Sequence, residues 1–222
     1  LVAAGIISAQ QMKKAVVLTA IITFLIALAL IYVAFGKENF VLSLVFILLG
    51  VGSIGAAIKY TVGKNAYGYS GFGDLFVFVF FGFVSVIGSN FLFTHFIDWK
   101  LLLPAIAIGL LSVAVLNLNN MRDIENDRVA GKNTLVVKLG ALNAKKYHYV
   151  LIVSSVTIMF VFSLLTKTSI LPIVVISVAL IKHILVVKKA NQYEDFDPEL
   201  KKVALSTFAL SILFWLTLVF LS

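Results

Sequence analysis

Asp123 and Asp127 stand four residues apart in the run Asn119-Asn120-Met121-Arg122-Asp123-Ile124-Glu125-Asn126-Asp127-Arg128-Val129-Ala130-Gly131-Lys132-Asn133-Thr134. On a helix, that spacing points both carboxylates the same way, one turn apart. Such a pair at a membrane surface suits Mg²⁺ held against a diphosphate, because Mg²⁺ takes hard oxygen ligands, typically one or two carboxylates with phosphate and water. Asn119 or Asn120 lies one turn earlier, on or near the same face. Arg122, Arg128 and Lys132 supply cationic donors for phosphate oxygens, the arginines in fork geometry. Gly131 lets the backbone turn, and Thr134 offers a hydroxyl. The plainer alternative is a solvated loop whose Asp and Arg residues pair with one another. An isolated pair of aspartates would not decide between the two, but three cations and two amides beside an apolar run favour phosphate and metal.

A second polar segment runs from Lys59 to Asp74 and carries Gly63, Gly68, Gly71 and Gly73 with Tyr60, Tyr67 and Tyr69. Tyr60 and Lys64 are four apart and share a helix face, which would let Lys64 contact diphosphate. The same residues also suit an aromatic interface belt broken by glycine turns, and spacing leaves both readings open. Tyr67 and Tyr69 wall this loop and, with Asp74, are candidates for an acceptor pocket; on spacing, Asp74 better suits a helix N-cap. A third segment carries Glu194, Asp195, Asp197 and Glu199 at irregular spacing among lysines, the pattern of a hydrated surface loop. His95, His148 and His183 are too scattered for a metal cluster and are expected in loops or at the interface. Some of the nineteen Phe residues are candidates for lining a prenyl channel, where aromatic faces stabilise an allylic cation.

These segments must be positioned by the rest of the chain, which is very apolar. Of 222 residues, 61% are hydrophobic and 13% charged, and the mean hydropathy is +1.08. A soluble domain is about half apolar and about a quarter charged. Runs of about 20 apolar residues mark membrane-spanning helices, since lipid offers no partner for backbone polar groups. The expected fold class is therefore an all-α integral membrane bundle. With no cysteine, disulfides, thiolate nucleophiles and Cys-ligated metals are excluded. The net charge of +8 does not indicate a nucleic-acid partner, because the Lys and Arg residues lie between apolar runs. They suit orientation and contact with anionic lipid.

Seven apolar segments can be drawn, at roughly 15–35, 41–58, 75–94, 101–118, 149–166, 169–187 and 203–221. Fifteen of the eighteen basic residues fall toward one side, in its connections or, for Lys182, in the second half of the sixth run, leaving Lys37, Lys100 and Lys167 on the other. The positive-inside rule puts the basic side in the cytoplasm. Segments 59–74, 119–148 and 188–202 are then cytoplasmic, and 36–40, 95–100 and 167–168 are short external turns. Polar chemistry on one face of an apolar bundle suits an enzyme acting on a lipid. A transporter more often carries ionisable residues in mid-span.

The string Asn119 to Gly140, N-N-M-R-D-I-E-N-D-R-V-A-G-K-N-T-L-V-V-K-L-G, resembles the second aspartate motif of the UbiA-type membrane prenyltransferases. More narrowly, it resembles the branch that prenylates 1,4-dihydroxy-2-naphthoate in menaquinone synthesis. The Tyr60-to-Asp74 loop is similar to the loop after that branch's fourth helix, and Leu1 to Met12 looks like the stretch after its first aspartate motif. The resemblance implies a nine-helix bundle, with helices three to nine here and residues 1–222 forming a single, N-terminally incomplete domain. The first motif, Asn-x-x-Asp-x-x-x-Asp, is absent from this chain, so the implied activity belongs to the intact protein.

That implied activity is transfer of a polyprenyl group from its diphosphate to dihydroxynaphthoate, with loss of diphosphate and CO₂ to give demethylmenaquinone. It would take place in the cytoplasmic membrane, with Mg²⁺ held by Asp123 and Asp127. Asn119, Asn120, Arg122, Lys132, Lys64 and Arg128 would serve the diphosphate. Tyr60 corresponds to a family tyrosine near the allylic cation. Two other readings stay open: a relative acting on another acceptor, such as hydroxybenzoate or haem, and a transporter or non-catalytic membrane fragment. The Asn-Asn-x-Arg-Asp string and the glycine-rich loop weigh against the first, and charge-free mid-spans against transport. Oligomeric state is not legible.

Overall fold

The apolar runs become helices because only a helix satisfies its own backbone within a single spanning segment. The computed structural model describes residues 6–63 and 66–220 and contains seven helical segments long and apolar enough to cross a membrane. These are Ala9–Phe35, Phe40–Tyr60, Gly73–Thr94, Trp99–Arg122, Leu135–Thr166, Leu171–Lys189 and Tyr193–Phe220. Their number and order agree with the sequence expectation. Most extend beyond the apolar runs at the end bearing the long polar connections, because helical hydrogen bonding continues through Lys13, Lys14 and Lys59 and through most of 119–148.

The chain divides into two compact units, Leu1–Lys59 and Tyr60–Ser222. The first is built on α1 (Ala9–Phe35) and α2 (Phe40–Thr61). Ser8 opens α1 with a reciprocal cap, its hydroxyl accepting from the Gln11 N–H while the Gln11 side chain accepts from the Ser8 N–H, which satisfies donors a helix start leaves unpaired. Gly36, at φ 58°, ends the helix, and Phe35 packs on Phe46 with ring centroids 5.2 Å apart.

The second unit carries the remaining helices. Its first span combines α3 (Gly73–Val77), a π-helical stretch Phe78–Gly88 and α4 (Ser89–Thr94). Then follow α5 (Leu102–Arg122), the short α6 (Ile124–Val129), α7 (Leu135–Thr166), α8 (Leu171–Lys189) and α9 (Phe196–Phe220). Helix α5 is the axis, burying Ala105, Ala107, Gly109, Leu111, Val113, Ala114, Asn117 and Leu118 against its neighbours. Two glycines set how closely it meets the π-helical stretch. A Cβ on Gly82 would lie 2.6 Å from the Ala105 carbonyl oxygen, and one on Gly109 would lie 2.8 Å from the Phe78 ring. Small residues give such contacts in lipid, where close packing replaces the hydrophobic drive. On another side of α5, the Ser155 hydroxyl donates to the Ala107 carbonyl at 3.0 Å and ties α7 to it.

Large apolar residues such as Phe93, Val150, Val178 and Phe208 stay exposed, as lipid-facing surfaces require. Short turns at His95 and Lys167, both in the left-handed region, close one end. The three polar connections gather at the other end.

Candidate functional site

Helix α5 runs to Arg122 and pauses at Asp123 (φ −96°, ψ 7°) before α6 resumes. The single helix expected through Asp127 is therefore broken at Asp123, but the four-residue register survives, since the Asp127 N–H donates to the Asp123 carbonyl at 2.8 Å. Each carboxylate has its own cation. Arg122 folds back on Asp123 in a fork, Nε to Oδ1 and Nη2 to Oδ2, both 2.9 Å. The same guanidinium reaches Asn119 Oδ1 at 2.8 Å and Asp197 Oδ1 at 2.6 Å.

Asp127 is nearly buried and receives Lys132 Nζ at 2.7 Å. The turn that brings Lys132 back depends on Gly131 at φ 70°, and it is closed by the Lys132 N–H donating to the Asp127 carbonyl at 2.9 Å. Lys132 also lies over the Tyr69 ring, 4.9 Å from its centroid. The hydrogen bond to Asp127 raises the Lys132 pKa above the ordinary lysine range, against a smaller opposing effect of burial.

The glycine-rich loop docks on this turn through its backbone. The Asn133 N–H donates to the Tyr69 carbonyl at 2.7 Å, and Lys138 Nζ donates to the Ser70 carbonyl at 3.0 Å. Gly68 fits because a Cβ there would meet the Tyr60 carbonyl oxygen at 2.7 Å. Tyr60 meets Tyr67 edge-on at 5.5 Å, and Tyr67 stacks on Phe76 at 3.9 Å. The Tyr60 phenol is within electrostatic reach of both Asp74 and Asp127. Tyr60, Tyr67, Tyr69, Asp74, Asn119, Arg122, Asp123, Asp127 and Lys132 thus share one end of the second unit.

Other expectations fare differently. Asn120 is buried. Arg128 turns to Glu125 at 3.0 Å, not to the aspartate pair. Thr134 caps α7, accepting from the Val137 N–H. Lys64 lies outside the described residues. Asp74 is not an N-cap: Phe72 holds that position, while Asp74 sits in the first turn of α3 and accepts from the Tyr147 hydroxyl at 3.0 Å.

Several groups escaped the sequence reading. The acidic segment 194–199 is not a free hydrated loop. Asp195 accepts from the Asn191 and Gln192 N–H groups, Asp197 holds Arg122, and Glu199 is 1% exposed within α9. His148 and His183 are not loop residues but are buried on α7 and α8, with their Nε2 atoms 2.7 Å apart. Asn117 is fully buried, and its amide has no hydrogen-bond partner among the described residues. Glu199 and His183 were legible in principle: each continues a buried stripe at helical spacing, Glu199 with Val203, Leu210 and Phe214, and His183 with Ile176, Leu180 and Val187.

The UbiA prenyltransferase family model matches residues 1–205, and the chain belongs to that family. It is 49% identical over 166 residues to the 1,4-dihydroxy-2-naphthoate octaprenyltransferase of Escherichia coli (strain K12), covering 74% of this chain and 53% of that protein. It is 41% identical over 216 residues to the protein of the same name from Haemophilus influenzae, covering 96% of this chain and 70% of that protein. A third relative of that name, from Mycobacterium tuberculosis, is 41% identical over 135 residues, 60% of this chain and 46% of that protein. The chain thus spans between about half and 70% of the length of these relatives. No solved structure matches it.

Proposed function

We propose that residues 1–222 belong to one prenyltransferase domain whose intact form moves a polyprenyl group from its diphosphate onto 1,4-dihydroxy-2-naphthoate. The observation that carries this reading is the pairing of Asp123 with Arg122 and of Asp127 with Lys132 at one end of an apolar bundle. The names of the relatives supply the acceptor. The family model runs through both compact units, which supports treating them as one domain.

The donor set fits a magnesium ion that arrives with its phosphate. Among the described residues, no group of three or more His, Cys, Asp or Glu side chains is arranged to hold a metal ion by itself, so substrate oxygens would have to complete the set. Two carboxylates plus substrate oxygens and water are what Mg²⁺ ordinarily takes. Asp123 and Asp127 would hold the ion, which when bound neutralises charge on the leaving diphosphate.

Arg122 and Lys132, standing beside these carboxylates, would donate to the phosphate oxygens, Arg with paired donors. Arg122 and Lys132 stabilise the charge that develops as the C–O bond breaks and its electron pair leaves with diphosphate. The ring carbon bearing the carboxylate attacks the allylic carbon. Loss of CO₂ returns the bonding pair to the ring, giving demethylmenaquinone in its hydroquinone form. Tyr60, Tyr67 and Phe76 present aromatic faces beside the site, where they stabilise an allylic cation and exclude water. Asp74 and Tyr147 supply the polar groups for the acceptor. The basic bias of the connections supports a cytoplasmic orientation in the cell membrane.

The test incubates membranes containing the intact protein with Mg²⁺, octaprenyl diphosphate and either dihydroxynaphthoate or hydroxybenzoate, and follows products by mass spectrometry. Decarboxylated prenyl naphthohydroquinone is expected from the first acceptor. Product from hydroxybenzoate alone would assign a different acceptor, and no product from either would overturn the reading.

A further inference from the structure

Among the described residues, a buried polar assembly apart from the site lies in the second unit, between three helices. His148 on α7 meets His183 on α8, with Nε2 to Nε2 at 2.7 Å. The other ring nitrogen of His183 meets Glu199 Oε2 on α9 at 2.6 Å. The second Glu199 oxygen accepts from Lys202, whose side chain is half exposed. His148, His183 and Glu199 are each 2% exposed or less. Burying ionisable groups is expensive unless they are paired and hydrogen-bonded, as these are.

With Glu199 ionised and both imidazoles neutral, His183 donates from Nδ1 to Glu199 and offers a lone pair at Nε2, to which His148 donates from its own Nε2. His148 Nδ1 is then an acceptor, and it is unpartnered among the described residues. In that state the three groups and Lys202 carry no net charge together, which makes the burial tolerable.

Two of the anchored residues lie within two positions of residues that reach the candidate site. Glu199 is two positions from Asp197, on the other side of the first turn of α9, and Asp197 holds the Arg122 guanidinium that forks onto Asp123. His148 follows Tyr147, which donates to Asp74. Lys145, one turn earlier on α7, donates to the Ala190 carbonyl at the end of α8. The same three helices are thus pinned on the inside while two of them reach to the site.

We infer that His148, His183 and Glu199 form a positioning clamp that fixes the first turn of α9, so that Asp197 holds Arg122 in place beside Asp123. The clamp rests on the proposed diphosphate site, because its effect is read there. Glu199 and His183 touch no substrate; they act through Asp197 and Arg122.

The experiment measures binding of Mg²⁺–pyrophosphate to the full-length protein in detergent, together with KM and kcat for polyprenyl diphosphate. Glu199→Leu is expected to weaken pyrophosphate binding and raise KM by roughly threefold to tenfold, the usual span for residues coupled through a packed network, with a smaller change in kcat. Glu199→Gln still accepts from His183 and is expected to restore affinity. In an Asp197→Ala background, Glu199→Leu is expected to add little, whereas a merely structural loss would add in full. If Glu199→Leu does not accumulate, Glu199→Asp carries the same test, since it keeps the charge but draws the carboxylate back by one methylene. The clamp is overturned if Glu199→Leu and Glu199→Asp bind as the wild type does, if Gln is as impaired as Leu, or if the Asp197 and Glu199 effects add. Failure of the wild type itself to bind Mg²⁺–pyrophosphate would instead overturn the diphosphate site.

Discussion

Lys132 reaches back five residues to place its ammonium 2.7 Å from the Asp127 carboxylate, and Gly131 makes this possible by holding φ at 70° between them. The contact is nearly buried on the aspartate side. Three residue types within six positions therefore work together: an acid, a left-handed turn and a cation.

Removing either acid tests the centre of the proposed site. Asp123→Ala and Asp127→Ala in the intact protein are expected to lower kcat at least ~100-fold, in line with loss of a major electrostatic contact. Helical content by circular dichroism should be retained. Near-wild-type turnover in either variant would remove that carboxylate from the metal role.

Gly131→Ala probes the turn alone, because nothing lies within 4 Å of where its Cβ would sit. The expected cost is about 1 kcal/mol of backbone strain, from forcing an L-residue into the left-handed region. Lys132 should then sit less well over Asp127, and KM for prenyl diphosphate should rise while acceptor KM stays unchanged. Equal effects on both substrates would contradict this.

Tyr147→Phe deletes one hydroxyl and leaves the Asp74 carboxylate without that donor. A loss of about 1 kcal/mol, a factor of roughly five, is expected from one such hydrogen bond. It should appear in KM for the aromatic acceptor and not in pyrophosphate binding. The reverse pattern would move Asp74 out of the acceptor pocket.

Gly82→Val tests how the bundle is held rather than how it reacts. The added atoms would meet the Ala105 carbonyl and the α5 backbone at Gly109, and overpacking of this kind costs about 1–3 kcal/mol. A lowered midpoint in thermal unfolding in detergent is expected. An unchanged midpoint would mean that the two helices separate without cost.

Much of this architecture can be read from the chain because lipid imposes a simple rule, that each spanning segment must be apolar for about 20 residues. The seven runs, their order and the gathering of polar connections at one end follow from that rule. The aspartate pair was also visible, since its spacing is local and its cations are close in sequence. The His183–Glu199 contact was not, because its partners are 16 residues apart and His148 lies 35 residues before His183. Glu199 was misread because lysines and other acids surround it. Only its register with Val203, Leu210 and Phe214 marks it as inward-facing. The N-cap reading of Asp74 failed for a related reason: an acid at a helix start suits a cap, and its actual partner, Tyr147, is 73 residues away.

The glycine-rich loop is fastened by carbonyl oxygens, those of Tyr69 and Ser70. A tether of that kind is indifferent to the side chains it carries. Substitution of Ser70 can therefore alter what the loop offers to an incoming ring without undocking it from the acid pair, whereas Tyr69 also lies against the Lys132 ammonium, so a change there reaches the diphosphate end as well.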